Sequence, residues 1–333
     1  GTYWANMVMH YSDLVVAIGA RFDDRVTGKV SEFCPHAKVI HIDIDPTSIR
    51  KNVNVDIPIV GDCKMVLREL IQILRATVNG DQRELRKPWW NQIREWQQAN
   101  PLAYQQEADG PIKPQHVIQR LYELTKDRDP IVSTDVGQHQ MWAAQYFKLA
   151  KPNRWLTSGG LGTMGFGFPA AMGAQAAFPG RLVLCIAGDG SIQMNMQEMA
   201  TAVVHKLPVK IIILNNRFHG MVRQWQDLFY EGRYASSDLE TTPDFVKLAE
   251  AYGAVGLRAS KPSEIDAVLK EAIAVNKPVI VDVPTYRYEN VYPMIPAGGC
   301  NHEMILEDPP ALRNKQSGAG QVTPKDSDTI LTA

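Results

Sequence analysis

Two short polar motifs in the second half of the chain have the residue types of a metal site. Residues 188–190 read Gly-Asp-Gly, and residues 215–216 read Asn-Asn. The Asp189 carboxylate and the Asn216 amide oxygen are hard ligands that suit Mg²⁺, an ion that completes its octahedron with waters and phosphate oxygens. Gly190 lets main chain approach closely, and the N–H groups that open a following helix favour the same anion. The chemistry indicated is Mg²⁺-assisted binding of a phosphate group.

The elements around these motifs decide between this interpretation and a simpler one. Alone, Gly-Asp-Gly is more often a turn with Asp189 as a helix N-cap. Apolar runs predict strands at 181–187 and 209–214, with a helix at 192–205 between them. Because the carboxyl ends of parallel strands open onto one edge of the sheet, Asp189 and Asn216 are expected to converge there.

Two glycine-containing segments form a second candidate site. A strand at 130–136 ends in Asp-Val-Gly-Gln-His-Gln (135–140), and Ser-Gly-Gly-Leu-Gly-Thr-Met-Gly (158–165) precedes a small-residue helix that ends near 177. The main-chain N–H groups of such glycine-rich segments can bind a phosphate. Taken alone, the segments are also typical of tight turns that pack a helix closely, with His139 simply hydrogen-bonded.

A third cluster lies near the start of the chain. Strands are predicted at 11–19, 38–45 and 57–61, followed by a helix at 63–74. Glycine, arginine and aspartate residues at 19–25 and 43–45 would gather at the edge of that sheet as a dinucleotide-like site. The pattern G-x-G-x-x-G is missing, so an NAD fingerprint is not supported, the ligand stays open, and solvated ion pairs are the alternative.

Strands that alternate with helices predict an α/β fold with two parallel-sheet, Rossmann-like domains. We expect the first domain at 1–78, a proline-bounded linker at 79–112, the second domain at 113–290 and a polar tail at 291–333, which becomes mobile from 314.

Composition excludes several classes of protein. The chain has 333 residues, 45% of them hydrophobic, and a formal net charge of -1, so no basic excess points to nucleic acid. No apolar run is long enough to span a bilayer, and no targeting peptide is visible. The four cysteines lack a C-x-x-C pair and are interpreted as free thiols.

The motif Gly-Asp-Gly followed by Asn-Asn resembles the signature of thiamine diphosphate (ThDP) enzymes. The sequences of segments 136–142, 157–167 and 220–226 closely resemble those of the large, catalytic subunit of acetolactate synthases. The resemblance extends from Gly1 to about Glu303. The resemblance implies that the second domain has the ThDP-binding fold and that the first is the C-terminal part of a domain that contacts FAD.

The resemblance also implies the ligands. Mg²⁺ would be held by the side chains of Asp189 and Asn216 and by the main-chain carbonyl of Phe218. Gln138 and His139 would lie near the diphosphate, and Met164 would hold the cofactor in its bent form. The residues that match ThDP contacts are Val136, Gly137, Gln138, His139, Gly162, Met164, Gly190, Ser191, Gly220 and Met221. The residues that match FAD contacts are Gly1, Gly19, Arg21, Asp23, Arg25, Val26, Asp43, Ile44, Ser48, Gly61 and Asp62.

The residues implied for substrate are Arg25, Met221 and Trp225. Arg25 could steer the carboxylate of a 2-oxo acid. Trp225 would favour a larger second substrate, although without the resemblance it and Met221 would be taken for packing residues on a helix.

The activity implied is decarboxylation of pyruvate and ligation to a second pyruvate or to 2-oxobutyrate, in branched-chain amino acid biosynthesis. Implied partners are 2-oxo acids, a second catalytic subunit and a small regulatory subunit, in a bacterial-type cytoplasm. In this family an N-terminal domain carries the activating glutamate, so we expect no catalytic residue within this chain and little activity from it alone. The alternatives are a related FAD-containing ThDP enzyme, such as pyruvate oxidase or glyoxylate carboligase, and a non-catalytic cofactor-binding module.

Overall fold

The computed structural model describes residues 1–78, 80–310 and 312. The chain divides into two compact units. Of the described residues, the first unit consists of Gly1–Ala103 and Tyr292–Glu307, and the second of Tyr104–Val291 with 308–310 and 312.

The first unit is built on a three-stranded parallel sheet in the order β1-β2-β3. Buried apolar side chains such as Ala17, Phe22 and Val39 cover one side of it. Its elements are α1 (Tyr3–Tyr11), β1 (Leu14–Ile18), α2 (Asp24–Thr27), β2 (Lys38–Asp43), β3 (Ile57–Val60), α3 (Cys63–Thr77) and α4 (Arg83–Ala99).

The second unit is built on a six-stranded parallel sheet in the order β5-β4-β6-β7-β9-β8. Its elements are α5 (Pro114–Thr125), β4 (Ile131–Thr134), α6 (Gln138–Tyr146), β5 (Trp155–Leu156), α7 (Gly167–Ala177), β6 (Val183–Gly188), α8 (Asp189–Ile192), α9 (Met199–Val204), β7 (Lys210–Asn215), α10 (Gly220–Phe229), α11 (Phe245–Ala251), β8 (Val255–Arg258), α12 (Ile265–Ala274) and β9 (Val279–Pro284).

Both faces of the larger sheet are buried, as a parallel sheet requires. Leu184 and Ile186 of β6 point into a core on one face of the sheet, together with Leu121 of α5. Val183 and Cys185 of the same strand point into a second core on the opposite face. This alternation fixes the register of the central strands, since a slip by one residue would exchange the two faces.

The α/β class and the parallel sheets are confirmed, and the predicted strands appear with small changes in their bounds. The strand predicted at 11–19 is shorter, because α1 extends to Tyr11. The helix predicted at 192–205 is broken into α8, a 3-10 turn at Met196–Glu198 and α9. The tail at 314–333 lies outside the described residues.

The 79–112 segment differs from the expected linker, because it contains α4, a helix with Pro88 inside it. The prolines in this segment favour turns, and apolar residues are sparse, yet Ile93 is buried and Trp96 stacks on Tyr11 of α1 at a 5.6 Å ring separation. Residues 292–307, expected in the tail, belong to the first unit. No described helix is long and apolar enough to cross a bilayer, and the four cysteines are free thiols.

Two glycines of the second unit give opposite expectations on replacement by alanine. A Cβ on Gly256 of β8 would lie 2.5 Å from the main-chain oxygen of Val246 in α11, whereas Gly173 of α7 has open space at that position. We expect Gly256→Ala to lower the free energy of unfolding by about 1–3 kcal/mol. Gly173→Ala should raise it by about 0.5–1 kcal/mol, because alanine is the better helix former. Urea unfolding followed by circular dichroism measures both, and a shift in the same direction would contradict the packing described.

Candidate functional site

A cavity of about 520 Å³ opens in the second unit, at the carboxyl ends of β4, β6 and β7. Every residue that the sequence predicted to bind ThDP, and all three predicted for the metal, line this cavity. Their segments are far apart along the chain, and the parallel sheet brings them together because its strand ends share one edge.

Asp189 directly follows Gly188, the last residue of β6. Its residue is 1% exposed, and the main-chain N–H groups of Asp189, Gly190 and Arg217 donate to its carboxylate. The other carboxylate oxygen, Oδ2, is buried without a hydrogen-bond partner. The N-cap of the short helix α8 is Gly188 rather than Asp189. Asp189 therefore presents a buried acceptor that is free to bind a cation.

Burial raises the pKa of the Asp189 carboxyl to about 7, and the nearby charge of Asp282 acts in the same direction. The three N–H groups oppose this shift but do not cancel it. A positive charge at Oδ2 would restore the ionised form, since an adjacent opposite charge lowers a carboxyl pKa.

The loop after β7 completes this edge of the sheet. Arg217 adopts a positive φ of 54°, which turns its N–H toward Asp189. Asn216 is 6% exposed, and its Oδ1 accepts from the Phe218 N–H at 3.1 Å. A strained main-chain conformation of this kind persists only where the surroundings fix it.

The Phe218 side chain has a role that the sequence did not reveal. The residue is 4% exposed, and the guanidinium groups of Arg287 and Arg223 lie over its ring, 4.5 Å and 5.6 Å from the centroid. Phe218 also forms a main-chain bridge with Asp238. The ring thus anchors the loop whose main-chain carbonyl the sequence analysis assigns to the metal.

Glycines keep the cavity open. A Cβ on Gly190 would lie 2.9 Å from the His219 ring, and one on Gly188 would lie 2.8 Å from Nδ1 of His139. Burial lowers the pKa of His139 to about 4, so its imidazole is neutral near pH 7. His139 can therefore hydrogen-bond a ligand but adds no charge to the site.

Asp135 begins the glycine-rich candidate motif, and the structure gives it a supporting role that the sequence analysis did not assign. Its Oδ1 accepts from the N–H groups of Val136 and Gly165, and its Oδ2 accepts from the N–H of Gly167, all between 2.8 and 3.0 Å. A Cβ on Gly167 would lie 2.5 Å from the Asp135 nitrogen. Asp135 therefore connects the end of β4 to the glycine-rich loop. The sequence gives one sign of this tertiary contact, which is a carboxylate directly after a strand.

Helix α10 carries two of the three predicted substrate residues, whereas the third, Arg25, lies in α2 of the first unit. Met221 lines the cavity, while Trp225, four positions later, is half-buried and packs edge-on against Phe229 at 5.2 Å. Arg223 fixes the helix from its other side. It is fully buried, it pairs with Asp227 at 2.6 Å, and it also donates to the Asn290 side chain.

The residues predicted for FAD gather at the sheet edge of the first unit. The Gly19 N–H donates to the Ile42 carbonyl, and the Gly61 N–H donates to the Asp43 carbonyl, at 2.8 and 2.9 Å. This brings the ends of all three strands together. Asp62 caps α3 through the N–H groups at positions 64 and 65.

The two arginines of this set each form an ion pair with a nearby aspartate. Arg21 contacts Asp23, and Arg25 contacts Asp24 at 2.8 Å with both side chains exposed. Such exposed pairs contribute little to stability. The alternative of solvated ion pairs is therefore also represented here. The remaining predicted positions, Gly1, Val26, Ile44 and Ser48, lie in the same unit.

Comparisons with known proteins agree with this arrangement. Residues 1–70 match the central domain of thiamine pyrophosphate enzymes, and residues 135–283 match their C-terminal TPP binding domain. The large subunit of acetolactate synthase isozyme 3 from Escherichia coli is 50% identical over 309 residues, which are 92% of this chain and 54% of that protein.

Other relatives give the same result. The acetolactate synthase large subunit of Haemophilus influenzae is 51% identical over 310 residues, 93% of this chain and 54% of that protein. The acetolactate synthase of Mycobacterium bovis is 48% identical over 309 residues, 91% of this chain and 50% of that protein. The chain spans about half the length of these curated relatives. It belongs to the thiamine pyrophosphate enzymes, and over most of its length it is homologous to the large subunits of acetolactate synthase.

Proposed function

We propose that this chain forms the part of an acetolactate synthase large subunit that holds the diphosphate of ThDP through Mg²⁺. The proposed reaction is decarboxylation of pyruvate and ligation to a second pyruvate or to 2-oxobutyrate. The products are 2-acetolactate and 2-aceto-2-hydroxybutyrate, for branched-chain amino acid biosynthesis. The observation that carries the proposal is the unpartnered, buried Oδ2 of Asp189 in a cavity lined by all the matching residues.

The donor set around Asp189 fits Mg²⁺. Asp189 and Asn216 supply two hard oxygens, and the main-chain carbonyl of Phe218 would supply a third. A site with so few protein ligands suits Mg²⁺, which keeps waters and takes phosphate oxygens as further ligands. Once bound, the ion would offset part of the combined negative charge of Asp189 and the diphosphate.

The walls of the cavity fit the organic part of the cofactor. ThDP supplies the nucleophilic carbon and the electron sink for decarboxylating a 2-oxo acid. Met164, Met194 and Met221 line the cavity and would exclude water around the reacting carbon.

We propose FAD as the ligand of the first unit, at the edge formed by the ends of β1, β2 and β3. Gly19 has a positive φ of 64° and no neighbouring atom where a Cβ would be, so a ligand can approach its main chain. The guanidinium groups of Arg21 and Arg25 would exchange their aspartate partners for phosphate oxygens of the cofactor.

The partners we propose follow from the same assignment. They are small 2-oxo acids, a second copy of the catalytic subunit and a small regulatory subunit. The relatives' description as large subunits supports a smaller one. The exposed side chains of Leu161, Met194 and Val222 near the cavity would be covered by another copy. A cytoplasmic location stays a prediction.

The metal assignment is tested by Asp189→Asn in the protein that carries this chain. We expect at least a ten-fold higher Mg²⁺ concentration for half-maximal ThDP binding, and a matching loss of acetolactate formation from pyruvate, because the ligand charge is removed. Asp266→Asn is the control, since that carboxylate only pairs with Arg120 on the surface. Unchanged Mg²⁺ dependence in Asp189→Asn would refute the assignment.

The raised pKa of Asp189 predicts a pH dependence of stability in the metal-free protein. The folded state holds this proton up to about pH 7, whereas the ordinary carboxyl value is 3.8. The protonated carboxyl therefore stabilises the fold fully below about pH 4, and this contribution is lost as the pH rises to about 7. Thermal unfolding in EDTA should show wild type losing stability relative to Asp189→Asn across that range. Parallel profiles for the two proteins would contradict the burial of a free carboxyl.

The specificity assignment is tested by Trp225→Leu. If Trp225 contacts the second substrate, the variant should lose several-fold of its preference for 2-oxobutyrate over pyruvate, measured by product ratios in competition. Trp155→Leu in β5 is the control for the loss of a half-buried tryptophan outside the cavity. An unchanged ratio in Trp225→Leu would leave that residue a packing role only.

A further inference from the structure

Three buried amide side chains form a row behind the cation site proposed above. They are Gln224 of α10, Gln138 at the start of α6 and Asn216 at the end of β7, with exposures of 0%, 2% and 6%. Each contacts the next by a hydrogen bond between side chains. Buried amides that are joined in this way hold one another in fixed orientations.

The main chain fixes the far end of the row. The Val291 N–H donates to Oε1 of Gln224, and Nε2 of Gln224 donates to the Val291 carbonyl, both at 2.9 Å. A main-chain N–H can only donate and a carbonyl can only accept. The Gln224 amide therefore has one orientation that satisfies both groups.

That orientation is passed along the row. Oε1 of Gln224 accepts from Nε2 of Gln138 at 2.9 Å, and the same nitrogen donates to the Glu289 carbonyl at 3.2 Å. Both hydrogens of Nε2 are thereby used, so Oε1 of Gln138 faces Asn216 and accepts from its Nδ2 at 3.2 Å. Oδ1 of Asn216 is left on the opposite side, where the Phe218 N–H donates to it.

Gly220 provides the space that this arrangement needs. A Cβ at that position would lie 2.0 Å from Oε1 of Gln138 and 2.9 Å from Nδ2 of Asn216. Any other residue would therefore displace the contact between the two amides. The glycine at the start of α10 thus has a packing reason that is separate from ligand binding.

We propose that the main chain at Val291, acting through Gln224 and Gln138, orients the Asn216 amide so that its oxygen, rather than its NH₂ group, faces the cation. Gln224 is then a positioning residue for the metal site, although it does not itself touch the site. The inference rests on the proposed function, because it assumes that Asn216 is a ligand of Mg²⁺. A reversed amide would present hydrogens to the cation and repel it.

The test is Mg²⁺-dependent binding of ThDP to the protein that carries this chain. Binding is monitored by tryptophan fluorescence, since Trp142 lines the cavity. Gln224→Met keeps the length of the side chain and removes its polarity. We expect about a ten-fold rise in the Mg²⁺ concentration for half-maximal binding, the size typical for residues that orient a ligand. Gln138→Met interrupts the same row and should give a similar rise, which also tests the proposal if Gln224→Met does not fold.

Gln175→Met is the matched control. Gln175 is 1% exposed in α7, and its Nε2 donates to the carbonyls of Phe178, Pro179 and Arg181, but it does not line the cavity. This variant should lower the melting temperature of the cofactor-free protein without changing its Mg²⁺ dependence. If Gln175→Met raised the Mg²⁺ concentration for half-maximal ThDP binding as much as Gln224→Met does, the loss of any buried amide would weaken the site. That result would overturn the proposal.

A double-mutant cycle separates a relay from independent effects. If orientation passes through Gln138, then Gln224→Met should change Mg²⁺ affinity little once Gln138→Met is present. Fully additive rises would contradict the relay. Asn216→Ala distinguishes the two levels of the argument: if it loses Mg²⁺ affinity while Gln224→Met does not, the relay alone fails, whereas an unchanged Asn216→Ala overturns the metal assignment and the relay with it.

Discussion

The carboxylate of Asp189 is buried at the end of a central strand with one oxygen unpartnered, and it is the main constraint on the larger unit. Burying an unpaired acceptor costs free energy, which is visible in a pKa raised to about 7. The neighbouring elements hold it in place regardless. Asp189 directly follows β6 at the sheet edge and is the first residue of α8. Arg217, with its positive φ, turns its N–H toward the carboxylate. These features are coherent if the residue is kept ready for a cation.

Much of the remaining polar structure supports that edge without touching a ligand. Asp135 holds the glycine-rich loop, and two guanidinium groups lie over the Phe218 ring, which is separate from the main-chain carbonyl proposed as a ligand. Arg223 and Asp227 form a fully buried ion pair that fixes α10. Burying such a pair is costly and adds little net stability, so its use here fits a need for exact helix placement more than a need for stability.

The sequence permits prediction of the strands that end at this edge, and of Asp189 and Asn216 as residues that lie there, because local patterns carry both. Apolar runs mark buried strands, and polar residues directly after them must lie at the sheet edge. The supporting residues could not be predicted in this way. Gln224 meets Gln138 only after α10 and α6 have packed together, and no spacing along the chain encodes that contact. Helix α4, which contains Pro88, escaped prediction for a related reason, because its few apolar residues make sense only through contacts such as that of Trp96 with Tyr11 of α1.

The location of the cation is measured most directly by diffraction from crystals grown with ThDP and Mn²⁺, which takes the same oxygen ligands as Mg²⁺ and gives an anomalous signal. The account predicts one anomalous peak within about 2.4 Å of an Asp189 carboxylate oxygen, Oδ1 of Asn216 and the Phe218 carbonyl, next to the diphosphate. Bound ThDP with the peak at other side chains, or with the NH₂ group of Asn216 facing it, would contradict the account.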